Sequence, residues 1–272
     1  MNTDGSYPRI AQAIWLLLCL LGLQVLISIF IEVLSAIAGL HILSGDPAIT
    51  AIGNALAFAI LLFWGRSKRK ENQLVFYQLL PFQMTMAVPL IIAALGFSII
   101  LSELDNLLRF FLPMPQFIAQ LFFNLVSEGV VSFIALAIIA PFTEEFFFRA
   151  FLLRAFLTRY STRKAIVVSA VLFTLFHLNP YQFLPAFFLG IFLAWVFIYS
   201  KSIWPCIIVH SLCNSMFIIF SDILHVSIPG YTTMNDMLSG SARSQPLWFD
   251  ILGIVLVSTG IWVFIKTAKK NG

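Results

Sequence analysis

The sequence predicts an all-α, polytopic membrane protein, and two observations carry that prediction. The first is composition: 60% of the 272 residues are apolar and 10% are charged, whereas soluble domains carry about 25% charged residues. The second is the length of the apolar runs, which far exceeds the roughly 10-residue alternating segments of a transmembrane β-barrel. So few charges cannot cover the surface of a soluble globular protein, and much of this surface must therefore face lipid.

Eight apolar runs predict about eight transmembrane helices, since a spanning helix needs about 20 residues and the chain leaves no room for a separate soluble domain. We expect one integral membrane domain with three segments: N-terminal helices and an interfacial segment (1–128), a motif-bearing core (129–220), and a loop with the last helix (221–272). Residues 103–128 mix apolar side chains with two prolines and Arg109, which suits an interfacial or partly re-entrant segment. The runs cover approximately residues 11–30, 48–65, 84–101, 129–153, 165–178, 183–199, 203–220 and 247–265.

The basic residues predict the orientation, because cytoplasmic loops are enriched in Lys and Arg. The loops on one side hold only Arg109 and Arg243. Both termini are therefore predicted to be cytoplasmic, and the position of the basic residues between spans indicates membrane lipid as a partner and excludes nucleic acid. The other side carries Arg9, Arg66, Lys68, Arg69, Lys70, Arg154, Arg159, Arg163, Lys164, Lys201, Lys266, Lys269 and Lys270.

Polar residues inside the apolar runs mark the candidate site, because an ionisable group costs about 2.5–3.5 kcal/mol to insert at the centre of a spanning helix. Three runs each carry such a group: Glu144, His177 and His210. Counted from the flanking basic residues at about 1.5 Å per residue, these groups lie at depths of roughly 15, 20 and 14 Å from one face. Their similar depth predicts one shared intramembrane cavity.

Helical spacing then separates the roles of these residues, since side chains four apart share a helix face. Glu145 and Arg149 are four apart and can neutralise each other, whereas Glu144 is left without a partner on its own helix. His210 and Asn214 can project together into the cavity, and Phe173 lies one turn before His177 and can wall it.

This set of groups favours peptide hydrolysis. Glu144 assisted by His177 can deprotonate a water molecule, while His210 and Asn214 can donate hydrogen bonds to the developing oxyanion. In that case no cofactor is required. An alternative uses Glu144, His177 and His210 as ligands of Zn or another divalent metal, with an open position for water. The sequence does not separate the two, since no HExxH motif is present.

The ordered motifs resemble those of the CAAX-protease and bacteriocin-processing family of intramembrane endopeptidases. The resemblance covers residues 129–220 and implies an eight-helix enzyme with a cavity open to the cytosol and the membrane. It implies that Glu144 and His177 activate water and that His210 and Asn214 hold the oxyanion. The motifs are EExxxR (Glu144, Glu145, Arg149), FxxxH (Phe173, His177) and HxxxN (His210, Asn214).

The resemblance also suggests a membrane-associated protein or peptide substrate, either a prenylated CAAX-type protein or a bacteriocin or leader peptide. It favours a prokaryotic plasma membrane as the location. Two other hypotheses remain: a non-catalytic membrane scaffold or bacteriocin self-immunity protein that retains the motifs, and a proton-coupled transporter that uses Glu144 and the histidines as a relay.

Overall fold

The computed structural model describes residues 7–39, 46–68, 82, 84–127, 129–232 and 242–271, and the described part is built from helices. Seven of its helices are long and apolar enough to cross a membrane. The polytopic, all-α fold class is therefore confirmed. In chain order the helices are α1 (Ile10–Ile37), α2 (Pro47–Ser67), α3 (Ala87–Phe111), α4 (Gln116–Ser127), α5 (Val130–Leu157), α6 (Thr162–Phe176), α7 (Phe183–Ser200), α8 (Trp204–Ile218, continued by a π-helical turn over Ile219–Ile223) and α9 (Leu247–Asn271).

One of the eight predicted spans is shorter than a bilayer. Helix α6 has 15 residues and therefore extends about 22 Å, against a hydrocarbon core of about 30 Å. It ends where Leu178 adopts a positive φ of 49° and Pro180 starts a 3-10 turn. The chain then turns back, and α7 packs closely along α6. The end of α6 is only partly covered by the protein, since His177 is half-buried and Leu178 is 69% exposed.

The predicted interfacial segment, residues 103–128, is largely helical where the structure describes it. Helix α3 continues to Phe111 instead of ending near residue 101, because Asp105 and Arg109 form an ion pair one turn apart and make the added charges tolerable in a helix. The helix stops at Leu112, ahead of two prolines. The separate amphipathic helix α4 follows, as expected for the second half of the segment.

Helix α5 is wound unevenly along its length. Two of its stretches, Ala135–Ile139 and Phe146–Leu153, are π-helical, and the α-helical stretch Ala140–Glu145 lies between them. A π-helical turn holds more residues than an α-helical turn, so each stretch rotates the side chains that follow it. The two carboxylates of the predicted site lie in the α-helical stretch between the wide turns.

Small residues let α9 approach α3 closely. A Cβ atom on Gly96 would lie 2.5 Å from the Gly253 carbonyl oxygen, and one on Gly260 would lie 2.5 Å from the Ala93 nitrogen. Both distances are shorter than real Cβ contacts, so glycine is required at these two positions. This is the small-residue packing typical of membrane helices, where backbones approach without large side chains between them. The last helix of the chain is therefore joined to the third.

The loop after α8 is fastened to the same helix α3. Asn106 donates a hydrogen bond to the Gly230 carbonyl oxygen (2.7 Å), and the Tyr231 hydroxyl lies 3.1 Å from Ser98 Oγ. Burial raises the pKa of Tyr231 to about 12, so the phenol stays protonated at neutral pH. The described parts of this loop, residues 224–232 and 242–246, are thus attached to α3.

Candidate active site

The structure brings the predicted polar residues of three helices into the interior of the bundle. Helix α5 supplies the two carboxylates and Arg149, the end of α6 supplies Phe173 and His177, and α8 supplies His210 and Asn214. Glu145 and Arg149 are fully buried, and Glu144 and His210 retain only 7% and 2% of their exposed surface. Buried charges of this kind require partners, and most of them have one here.

Glu145 is the centre of the hydrogen-bond network. Its Oε1 accepts from Arg149 Nη1 at 2.9 Å and from His210 Nδ1 at 2.8 Å. The pairing with Arg149 along one helix face is the one expected from the spacing, whereas the bond to His210 was not predicted. One carboxylate oxygen therefore links α5 to α8, and it orients the imidazole of His210.

Arg149 has two further contacts that hold it in place. Its Nη2 donates to the Gly190 carbonyl oxygen of α7 at 3.3 Å, and its Cζ lies 4.4 Å from the centre of the Phe173 ring. The carbonyl is reachable because α6 and α7 pack closely here: a Cβ atom on Gly190 would lie 3.0 Å from Ala170 Cα. The guanidinium thus joins three helices around Glu145, with a cation–π contact on one side.

Glu144 is placed differently from its neighbour. Among the described residues its side chain has no hydrogen-bond partner, whereas Glu145 accepts two hydrogen bonds through Oε1 and only its Oε2 is unpartnered. Glu144 Oε2 is buried and lies 3.9 Å from His210 Nε2. That distance is within the range of a charge pair but is too long for a hydrogen bond. Glu144 therefore keeps an oxygen free for chemistry next to an imidazole nitrogen, as the absence of a partner on its own helix predicted.

His177 lies just beyond the last residue of α6 and is half-buried. Its Nδ1 is 2.8 Å from the Phe173 carbonyl oxygen. Since a carbonyl oxygen can only accept, Nδ1 carries the proton and the Nε2 lone pair of the neutral ring is left free. The Phe173 ring contacts both imidazoles edge-on, with ring centres 4.9 Å from His177 and 5.6 Å from His210. Phe173 thus packs against both histidines.

Asn214 lies one turn after His210, but its hydrogen bond is to a different part of α5. Its Nδ2 donates to the Leu136 carbonyl oxygen at 3.0 Å, within the first π-helical stretch of α5. The second N–H of the amide is not used in that bond. The side chain is therefore held at a fixed position between α8 and α5 and retains a donor.

The residues predicted as an alternative metal set do not form a three-ligand centre in this arrangement. Among the residues that the structure describes, no three His, Cys, Asp or Glu side chains are grouped so that they could hold a metal ion. The Nδ1 atoms of His177 and His210 are taken by hydrogen bonds, and His210 Nε2 and Glu144 Oε2 are 3.9 Å apart.

Sequence reasoning missed one polar residue near these groups. Asn54 on α2 lines a cavity beside α5, whose lining also includes Thr50, Ala135, Leu136, Ile139 and Ala140. The signal was present in the sequence, since an amide within an apolar spanning segment needs a reason as much as a histidine does.

Comparison with known proteins gives a family match over the segment that carries the three motifs. Residues 126–216 match the family described as Rce1-like, type II CAAX prenyl endopeptidase. No curated protein and no solved structure gives a significant match to the chain. The matched segment contains all three motifs, from Glu144 to Asn214. The resemblance seen in the sequence is confirmed: residues 126–216, about a third of the chain, are similar to the Rce1-like family of type II CAAX prenyl endopeptidases.

Proposed function

We propose that the protein is an intramembrane endopeptidase that hydrolyses a peptide bond of a membrane-associated substrate. One observation carries the proposal: a buried carboxylate oxygen of Glu144, without a hydrogen-bond partner, lies 3.9 Å from His210 Nε2 within the family-matched segment. A buried acid that is left unpaired beside an imidazole is costly for the fold and useful for proton transfer.

In the proposed reaction, Glu144 and His177 remove a proton from water as its oxygen attacks the scissile carbonyl carbon. His177 suits this part because its Nδ1–H is held by the Phe173 carbonyl oxygen, which leaves Nε2 as the acceptor. When the tetrahedral intermediate collapses, the C–N bond breaks and the proton taken from water is delivered to the leaving amine. The products are a carboxylate and an amine, and no other reactant is consumed.

The oxyanion of the intermediate is held by His210 and Asn214. Glu145 fixes the orientation of the His210 ring through Nδ1 and points Nε2 toward Glu144. Nε2 donates to the oxyanion when both ring nitrogens carry protons. Asn214 uses the N–H that is not bonded to Leu136. Donors whose positions are fixed before the reaction are the effective ones, because they need not reorganise as charge develops.

The substrate is proposed to be a protein or peptide anchored in the plasma membrane of a prokaryote, entering from the cytoplasmic leaflet. The test uses two tethered peptides with the same cleavage sequence: one prenylated at a CAAX-type cysteine and one leader-type peptide without a prenyl group. Faster cleavage of the prenylated peptide would assign the CAAX-type substrate. Equal or reversed rates would assign the leader type.

The proteolytic assignment is tested with Glu144→Gln and His177→Ala in lipid vesicles. We expect each variant to cleave about 10²–10⁴-fold more slowly than the wild type, as for loss of a general acid or base. Asp222→Asn is the matched control, because this carboxylate is exposed and bonds only to the neighbouring Ser221 among the contacts described. If both site variants cleave as fast as the control, the protein is a non-catalytic scaffold or immunity protein instead.

No step of the proposed reaction uses a metal ion. We therefore expect the purified enzyme to keep its rate after dialysis against a strong chelator. Metal analysis of the same sample would accompany the assay. Loss of activity that Zn²⁺ restores would replace this mechanism by one in which Glu144, His177 and His210 bind the metal.

A further inference from the structure

A cavity lies between α2, α4 and the N-terminal half of α5, next to the polar cluster. Its volume is about 40 Å³, whereas one water molecule needs about 10–15 Å³ of such space. The wall is largely apolar, with Ala51 on α2, Leu125 on α4 and Ala140 on α5. The cavity can therefore accept a group larger than a single water, such as an aliphatic side chain.

Two polar side chains interrupt this apolar wall. Thr50 and Asn54 lie one turn apart on α2, and both line the cavity. Within the described part of the chain, no hydrogen bond uses the Asn54 amide or the Thr50 hydroxyl. Both residues are half-buried, and a polar group inside a spanning helix needs a hydrogen-bond partner when no water reaches it. An amide that the fold itself does not use is thus directed at a cavity of suitable size for a ligand.

Two residues that line the cavity lie on α5 close to the proposed catalytic residues. Ala140 lies one helical turn before Glu144, and the carbonyl of Leu136, another lining residue, accepts the bond from Asn214. At about 1.5 Å per residue, these two lining residues are about 6 and 12 Å from Glu144 along the helix axis. An extended peptide advances about 3.3 Å per residue, so this separation corresponds to two to four substrate residues.

We infer that this cavity is a substrate subsite, which takes an apolar side chain two to four residues from the scissile bond while Asn54 hydrogen-bonds the adjacent substrate peptide group. The inference rests on the proposed endopeptidase function. The lining favours this occupant, because a peptide segment offers both an apolar side chain and the N–H and C=O groups that an amide can pair with. A lipid tail would satisfy the apolar wall and leave Asn54 unpaired.

The first experiment varies the substrate. Tethered peptides carry Ala, Leu or Phe at each position from two to four residues on either side of the scissile bond, and kcat/KM is measured with the full chain in vesicles. We expect the wild type to prefer Leu over Ala at one position. Ala51→Leu, which fills the cavity, should lower kcat/KM for the Leu peptide about 10-fold or more and should change the Ala peptide far less, since a methylene in an apolar pocket changes rates about 10–200-fold.

The second experiment removes the amide. Asn54→Leu has a similar shape and is expected to insert into the membrane at least as well as the wild type. It should raise KM about 10-fold, the effect of losing about 1.4 kcal/mol of binding, and leave kcat nearly unchanged. Ile52→Leu is the matched control for both variants, because Ile52 lies on the same helix, is 51% exposed and does not line the cavity.

The outcomes separate the inference from the proposed function. If the wild type cleaves no peptide in the series, the endopeptidase assignment itself is wrong. If it cleaves, but Ala51→Leu and Asn54→Leu slow all peptides equally or slow none, the subsite is wrong. Loss of a co-purified lipid from Asn54→Leu with unchanged kinetics would also overturn the subsite and assign the cavity to lipid.

Discussion

Glu145 combines a structural role in helix packing with a role in orienting a residue of the proposed active site. Its spacing to Arg149 predicted a buried ion pair that stabilises helix packing, and that pair is present at 2.9 Å. The same oxygen also holds His210 at 2.8 Å, a contact between residues 65 positions apart. Sequence spacing identifies partners within a helix, whereas a partner on another helix depends on how the two helices rotate against each other. Only the structure provides that rotation.

At the residue scale, Asn214→Ala tests the proposed oxyanion donor. We expect kcat to fall about 10²–10³-fold, as for loss of one oxyanion-hole donor. Stability should fall by only about 1 kcal/mol, because one hydrogen bond to the Leu136 carbonyl is lost. The measurements are cleavage of a tethered peptide and thermal unfolding in detergent.

Asn106→Ala is the matched control for this variant. Asn106 also donates a side-chain hydrogen bond to a backbone carbonyl, that of Gly230, but it contacts the loop after α8 and none of the hydrogen bonds of the polar cluster involves it. It should lose similar stability and no activity. If Asn214→Ala keeps the control's rate, Asn214 is a structural residue and the oxyanion is held by other groups.

At the scale of the element, α5 determines most of the site. The sequence predicted a spanning helix here and placed Glu145 and Arg149 on one face, and both predictions hold. The two π-helical stretches were not predicted, because residues with the same helix propensity can form either winding. Packing against α2, α6 and α8 decides between them. The wide turns bring the Leu136 carbonyl to Asn214 while Glu144 faces His210.

Deleting Ile138 should show whether the first wide turn matters for activity. Removal of one residue would convert the turn to regular α-helix and rotate the residues before it by about 100° relative to Glu144. The bond from Asn214 to Leu136 would be lost, and we expect cleavage to slow about 10²-fold, as for a small misplacement of catalytic groups. The readout is kcat, with protease protection of the loops as a check on insertion.

Ile138→Ala controls for the loss of that side chain, which is 52% exposed and therefore faces the surroundings of the bundle. It keeps the number of residues in the turn and should cleave at close to the wild-type rate. An active deletion variant would mean that the π-helical winding has no part in positioning the catalytic groups.

At the scale of the whole molecule, composition was sufficient for the fold class and the approximate spans. It could not locate the end of α3, because the Asp105–Arg109 pair makes a charged segment helical. It also could not show that α6 stops at Phe176, after only 15 residues. Both depend on contacts that become available only after the helices have assembled. The cavity beside Asn54 is another such feature, since three separate helices form it.

The prediction at this scale concerns the number of membrane crossings and the side on which each terminus lies. If both termini are cytoplasmic, as the alternation of basic loops predicts, the number of crossings is even and α6 counts as one of them despite its length. Tags placed at the two ends of the chain should both be accessible from the cytoplasmic face of sealed vesicles, and a tag in the loop that follows α8 should be protected. Termini on opposite faces would show that α6 does not cross the membrane.

The glycine contact between α3 and α9 has a consequence for biosynthesis. Gly96 is translated more than 150 residues before Gly253, its partner in the contact. The small-residue face of α3 therefore stays without its contact to α9 while the helices that carry the three motifs are inserted. Completion of the packing around α3 is then tied to the emergence of α9 from the ribosome, so a translation product interrupted before α9 would carry all three motifs but lack the helix that packs against α3.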